Sequence, residues 1–282
     1  MRFSQEIITS RQNRRVVELC KLADRKAREA TRSFRFDGIK LLEEALRNGI
    51  VPETVFLRRR DAERLYDRFF GGADGAALAQ RTCILTLSDE LFDKISEEKS
   101  PEGVICCAKY IDKFQKNITI YNSADFFQMK NEQIVLLESV RDPANIGAII
   151  RSAAAIGVDR LILSADCADI YNPRAVRASM GAIFNQPIDR VQNLADTIRG
   201  LQESGRRVYA AALSEGAEVL GSFPILAGDC VVIGNEGHGL SDETVRACGR
   251  QVIIPMTARA ESFNAAVAAS ILMWEFAGAR RS

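Results

Sequence analysis

Val231-Val-Ile-Gly-Asn-Glu-Gly237 opens with three consecutive apolar residues and then turns abruptly small and polar. A strand that is apolar throughout, rather than at alternate positions, has both faces covered, as in a parallel sheet between two helix layers. The glycines that follow permit a tight turn and a close approach of backbone to ligand. Two further segments end in the same way. Asp142-Pro-Ala-Asn145 closes a strand over 134–140 and opens the run Asn145-Ile-Gly-Ala-Ile-Ile-Arg151, while Ile254-Pro-Met256 closes another strand and leads to Glu261-Ser-Phe-Asn264. In such sheets ligands bind beyond the C-terminal strand ends, so the three junctions are expected to meet at one edge.

Outward from these junctions, the second half reads as strands at 134–140, 160–164, 207–212, 230–234 and 251–255. Its helices are expected at 146–156, 174–180, 194–203, 242–248 and 262–278. The first half alternates helices (13–30, 39–47, 61–70, 90–96) with strands (54–57, 83–87, 103–109), and the glycine-rich stretch 71–75 reads as a loop. The polar stretch 112–132 reads as a linker carrying a short strand at 118–121, which divides the chain into an α/β domain over 1–112 and a second over 113–282.

A chain of 282 residues, 47% apolar, can build two modest cores. The net charge of +1 conceals a basic front: residues 1–35 hold ten Lys or Arg against four Asp or Glu. Arg11, Arg14, Arg15, Arg25, Lys26 and Arg28 therefore form a candidate polyanion-binding surface, the alternative being a solvated helix with surplus arginines. Seven scattered cysteines without a C-x-x-C pair read as small apolar residues of a reduced protein. With His238 the only histidine, a His-rich metal site is excluded, and no metal is expected. No apolar run reaches membrane-spanning length and the start lacks a signal peptide, so a soluble cytoplasmic protein is expected. The glycine order at 234, 237 and 239 fits neither the dinucleotide nor the P-loop fingerprint.

Taken singly, the candidate site residues have ordinary readings. Asn145 and Ser262 suit helix N-caps, whereas Asn264 inside a first turn is less easily explained by capping. Arg151, in an apolar and small-residue run, calls for a salt-bridge partner or a polyanion. Glu236 projects into a cleft or sits in a solvated loop, and His238 between two glycines reads as a mobile exposed imidazole. The apolar positions Val267, Ile271 and Trp274 read as core packing.

Together these residues resemble the three motifs of the SpoU (TrmH-type) branch of the SPOUT RNA methyltransferases. Asn145 to Arg151 matches the first motif, Gly234-Asn-Glu236-Gly the second, and Ile254-Pro-Met with Ser262 and Asn264 the third, in order over about residues 134–278. Ser10-Arg-Gln-Asn and Phe36-Asp-Gly-Ile-Lys-Leu-Leu-Glu-Glu-Ala resemble the family's L30e-like N-terminal substrate-binding domain. The resemblance implies an α/β protein whose C-terminal parallel sheet holds a deep trefoil knot. It implies S-adenosylmethionine bound near Gly234, Ile254, Met256, Phe263 and Asn264, and a homodimer through the C-terminal domain. The implied reaction is methyl transfer to a ribose 2′-OH, in rRNA by preference over tRNA, with Asn145, Arg151, Glu236, Ser262 and Asn264 as catalytic residues. A protein of this fold that binds RNA or assists ribosome assembly without turnover is the alternative. Arginine side chains stay protonated in proteins, so Arg151 is expected to hold phosphate and stabilise charge, with Glu236 fixing its guanidinium or a loop backbone. Two positions depart from the family pattern: Phe263 stands where Leu is usual, and a glycine near Ala258 is missing.

Overall fold

The computed structural model describes residues 6–111, 115–116, 119–212, 214, 216–257, 259 and 261–279. The chain forms two compact units, Met1–Ile111 with Asp169–Phe184, and Asp112–Ala168 with Asn185–Ser282.

In the first unit, β1 (Ile7–Ile8) precedes α1 (Arg14–Lys21), α2 (Arg25–Thr31), β2 (Ser33–Asp37), α3 (Ile39–Arg47) and β3 (Thr54–Arg58). Then come α4 (Ala62–Phe70), α5 (Gly72–Arg81), β4 (Cys83–Leu87), α6 (Asp89–Ile95) and β5 (Val104–Lys109). The sheet order is β1-β4-β3-β5-β2, with β5 antiparallel to both its neighbours. Val16, Leu19, Phe56, Leu87, Phe92 and Ile105 fill a core beneath α1 and α6.

Three expectations need correction here. The helix expected over 13–30 is two helices, because Asn13 caps α1 through the Arg15 N–H and Asp24 caps α2 through the Lys26 N–H, both at 2.9 Å. Residues 71–75 are not a loop but the α4–α5 junction and the first turn of α5. A Cβ on Gly75 would lie 2.4 Å from the Phe70 carbonyl carbon, so glycine there serves close packing. Arg28, expected on the polyanion surface, is 1% exposed, and its guanidinium is consumed by Asp169 and the Leu22 and Ala23 carbonyls.

The boundary at 112 also needs amendment, since residues 169–184 are built into the first unit. Tyr171 stacks on Tyr110 with centroids 3.9 Å apart and packs against Phe34 at 4.7 Å. Phe184 meets Phe36 edge-on at 5.2 Å, and Arg177 donates to the Glu97 carbonyl at 2.8 Å. The short helix α9 (Pro173–Ala178) lies in this segment, with Asn172 as its cap.

The second unit begins with β6 (Gln115–Lys116), α7 (Ser123–Gln128), β7 (Ile134–Leu137), α8 (Pro143–Ile156) and β8 (Arg160–Ser164). After the excursion come β9 (Ile188–Val191), α10 (Leu194–Glu203), β10 (Val208–Ala211), β11 (Glu218–Val219), β12 (Cys230–Ile233), α11 (Asp242–Cys248), β13 (Gly249–Ile253) and α12 (Ala265–Gly278). The described strands form one parallel sheet ordered β11-β13-β10-β12-β7-β8-β9-β6. Alternate residues (Ile134, Leu136, Ile162, Val208, Ala210, Val232) face a core with Phe126, Leu194, Ile198 and Leu201 of α7 and α10. The opposite face carries α8 and α12, with Tyr209 of β10 edge-on to Phe276 at 5.5 Å.

The 112–132 stretch is not a bare linker. α7 carries a capping box between Asn122 and Asp125, and Phe126 and Met129 enter the core. Of the strand expected at 118–121, Ile118 lies outside the described residues, and β6 pairs with β9 slightly earlier. Cys167, Cys230 and Cys248 are buried, and burial raises each thiol, those of Cys230 and Cys248 to about 12. They act as protonated apolar fillers. No described helix is long and apolar enough to cross a membrane.

Candidate active site

The two helices that begin at the sheet edge are capped by different residues from those expected. Asp142 caps α8 by accepting from the Ala144 N–H at 3.0 Å, with Pro143 at the first helical position. Asn145 therefore lies inside the first turn of α8, its amide directed to other partners. At α12 the cap is Asn264 rather than Ser262: Asn264 Oδ1 accepts from the N–H groups of Ala266 and Val267, at 2.9 and 3.3 Å.

These placements link the three junctions. Asn264 Nδ2 donates to Asn145 Oδ1 at 3.0 Å, and Asn145 Nδ2 donates to Glu236 Oε1 at 2.7 Å. Asn264 is 119 positions from Asn145 and Glu236 is 91, so only the fold creates this chain.

The loop bearing Glu236 is held at both ends by Glu138 and Ser139, just beyond β7. Asn235 Nδ2 donates to the Ser139 carbonyl at 2.8 Å, while its Oδ1 accepts from the Gly237 and His238 N–H groups. The Glu138 carboxylate accepts from the backbone and hydroxyl of Ser241 at 2.8 Å and from the Thr244 hydroxyl at 2.6 Å. Asn235 and Gly239 exchange two backbone hydrogen bonds of 3.0 Å, and the loop folds so tightly on β12 that a Cβ on Gly234 would lie 2.4 Å from Gly239. Sequence reading missed Glu138, Ser139 and Asn235 as site-building residues. Asn235 stood inside the second motif as a signal, whereas the partners of Glu138 lie more than a hundred positions away. Behind Ser139, burial raises the Asp166 carboxyl, but donors from Ser139, Ser164 and Arg141 outweigh it and hold the group below the usual carboxylate range.

Between this loop, the ends of β10 and β13 and the start of α12 lies a pocket of about 510 Å³, a size that suits a nucleoside-bearing cofactor. Gly234, Ile254, Met256 and Phe263 line it, as do Glu236 and Ser262, while Asn145 and Asn264 stand beside it through their bonds to Glu236. Phe263 is 40% exposed at the pocket. The walls are strand-end backbone and apolar side chains, with no room for a side chain at residue 234, so they fit an adenosine group held through main-chain contacts. His238 is exposed and also lines the pocket. Ala258 lies outside the described residues.

Arg151 is not brought into this constellation within one chain. Six residues beyond Asn145, it is rotated roughly 120° about the helix axis, exposed, and has no ion pair or hydrogen bond to the described residues. The salt-bridge reading is thus not met, and Glu236 holds Asn145 rather than the Arg151 guanidinium. Val267 and Trp274 are also not core: they are 47% and 55% exposed, while Ala269, Leu272, Met273 and Phe276 face inward. In the first unit, Arg11, Arg14, Arg15, Arg25 and Lys26 are exposed, with Arg14 paired to Glu18 and Arg25 to Glu29.

Residues 132–274 match the SpoU rRNA Methylase family, and residues 13–106 match the MRM3-like substrate binding domain. The chain belongs to the SpoU rRNA methylase family. Among similar members, the 23S rRNA (guanosine(2553)-2′-O)-methyltransferase RlmP of Bacillus subtilis is 29% identical, over 96% of this chain and 99% of its own. An AdoMet-bound rRNA methyltransferase from Sinorhizobium meliloti is 30% identical with a TM-score of 0.79, covering 98% of this chain and 97% of that one. The SpoU methyltransferase AviRb of Streptomyces viridochromogenes, in complex with AdoMet, is 25% identical with a TM-score of 0.73, over 95% and 99% of the two chains. The SpoU family match spans all three junctions, and the substrate-domain match covers α1 through the first half of β5.

Proposed function

We propose that the protein methylates a ribose 2′-hydroxyl of ribosomal RNA, using S-adenosylmethionine. The observation that carries this reading is the Asn264–Asn145–Glu236 hydrogen-bond chain beside an adenosine-sized pocket in a SpoU-family sheet. The bound cofactor supplies an activated methyl group, so the protein's task is to align the hydroxyl and dispose of one proton. Gly234, Ile254, Met256 and Phe263 hold the cofactor, with Asn264 at its edge. Asn145, Ser262 and Asn264 orient the ribose. Ribosomal RNA is favoured over tRNA by the rRNA methylase family match and by the activity named for the Bacillus relative. The exposed cations Arg11, Arg14, Arg15, Arg25 and Lys26 hold RNA phosphates.

The reading extends to a homodimer acting in the cytoplasm. α12 is apolar on its outer as well as its inner side, with Val267 and Trp274 exposed, and it packs along α8, where Ala144, Ala148, Arg151 and Ala155 share one face by helical spacing. A second copy covers this face, and Arg151, which lies on it, reaches the RNA phosphate in its partner's site. The backbone is knotted, a reading supported by β12 lying between β10 and β7 while α12 returns to pack on α8.

Mapping 2′-O-methyl groups across total RNA, with and without the gene, tests the function. Loss of a methyl group from rRNA is expected. Loss confined to tRNA would replace the substrate, and unchanged RNA would overturn the reading.

A further inference from the structure

Glu236 has one oxygen committed and one uncommitted, and the hydrogen-bond chain fixes which is which. Asn264 Oδ1 faces two backbone N–H groups, so its Nδ2 must point the other way, at Asn145 Oδ1. That in turn points Asn145 Nδ2 at Glu236 Oε1. No amide in this series can be turned over without setting donor against donor. Glu236 Oε1 is therefore held as an acceptor by a neutral donor, and Oε2 has no partner among the described residues.

Resting on the methyl-transfer reading above, we infer that Glu236 is a catalytic residue whose Oε2 accepts the proton of the ribose 2′-hydroxyl. The ribose oxygen forms its bond to the methyl carbon as the carbon–sulfur bond breaks, with that electron pair left on sulfur. The O–H bond breaks with its electrons retained by oxygen, and the proton passes to Oε2 and then to water. The hydroxyl need not ionise beforehand, because its oxygen turns strongly acidic only as the new bond forms. A carboxylate is a sufficient base at that moment, and a protonated guanidinium is not. Asn145 and Asn264 then have a second role as positioning residues, aiming the carboxylate from a capped helix N-terminus. The other titratable groups lining the pocket are Glu261, on the loop before α12, and His238, in the Glu236 loop itself; Arg141, paired with Asp166, and Arg151 do not line it.

The test compares the wild type with Glu236→Gln, which keeps an oxygen for Asn145 and the shape of the side chain. Single-turnover methyl transfer is measured against pH, on rRNA stripped from cells lacking the gene, and S-adenosylmethionine affinity is measured by calorimetry. The expected result is a rate at least about 100-fold lower, cofactor affinity within about twofold, and loss of the acid limb of the pH profile. A Glu236→Gln rate within about threefold of wild type would overturn the inference, as would an acid limb that persists in it. Transfer of that limb's loss to Glu261→Gln or His238→Gln would do the same. An inactive wild type would overturn it together with the reading beneath it, whereas the other outcomes leave that reading standing.

Discussion

Arg28 Nη2 lies 2.7 Å from Asp169 Oδ2, and Nη1 of the same guanidinium donates at 2.8 Å to the carbonyls of Leu22 and Ala23. One side chain thus satisfies the end of α1 and fastens a segment 141 positions away in sequence. Removing it strands a nearly buried carboxylate and two carbonyls, so Arg28→Ala is expected to destabilise the protein by about 3–5 kcal/mol. Chemical denaturation measures this. RNA affinity of the folded variant should stay within about twofold, since a buried guanidinium contacts no phosphate.

The exposed cations behave differently. Arg14→Gln, Arg15→Gln and Lys26→Gln should leave the melting temperature almost unchanged, because exposed ion pairs add little. Each phosphate contact removed is expected to flatten the dependence of log affinity on log salt by about 1, read by filter binding at several salt concentrations.

Asn264→Asp separates capping from catalysis. Aspartate caps as well as asparagine, so stability should hold to within about 0.5 kcal/mol. It also sets a carboxylate oxygen against Asn145 Oδ1, where a donor stood at 3.0 Å. Methyl transfer should fall by about tenfold or more, as expected when one directional contact at a reacting site is lost.

Gly234→Ala places a methyl group 2.4–2.6 Å from the backbone of Gly239 and Leu240. The loop must move outward, and cofactor affinity by calorimetry should drop by about tenfold or more while β12 stays in the sheet.

Trp274→Asp puts a charge on the outer apolar face of α12. On the proposed dimer, light scattering should find a dimer for the wild type and a monomer for the variant, and activity should fall with it.

The central strands were legible because Ile134 to Leu137 and Cys230 to Ile233 are apolar at every position, a pattern that a doubly covered sheet imposes locally. β9 was not, because its Asp189 and Arg190 are internal and bonded, Asp189 to Arg160 and Tyr121 and Arg190 to the carbonyls of 165, 167 and 168. Charge counting likewise could not separate Arg28 and Arg35, both inside, from Arg14 and Arg15 outside. At the site, residue types and order singled out three junctions that the fold links through Asn264, Asn145 and Glu236. The exchange of caps, Asp142 for Asn145 and Asn264 for Ser262, depends on where each helix starts, which sequence fixes only to within a few residues. Trp274 read as core because a helix apolar all round gives no clue to which side faces its own sheet.

The first unit takes Asp169–Phe184 from the middle of the second, and this imposes an order on biosynthesis. As the chain leaves the ribosome, the sheet of β1 to β5 is available early, yet Phe34, Phe36 and Tyr110 stay uncovered until Tyr171 and Phe184 emerge. A fragment cut near residue 112 would keep those rings bare, and transplanting the front module onto another enzyme would require grafting a second, internal piece. The first unit is finished only when its neighbour is half made.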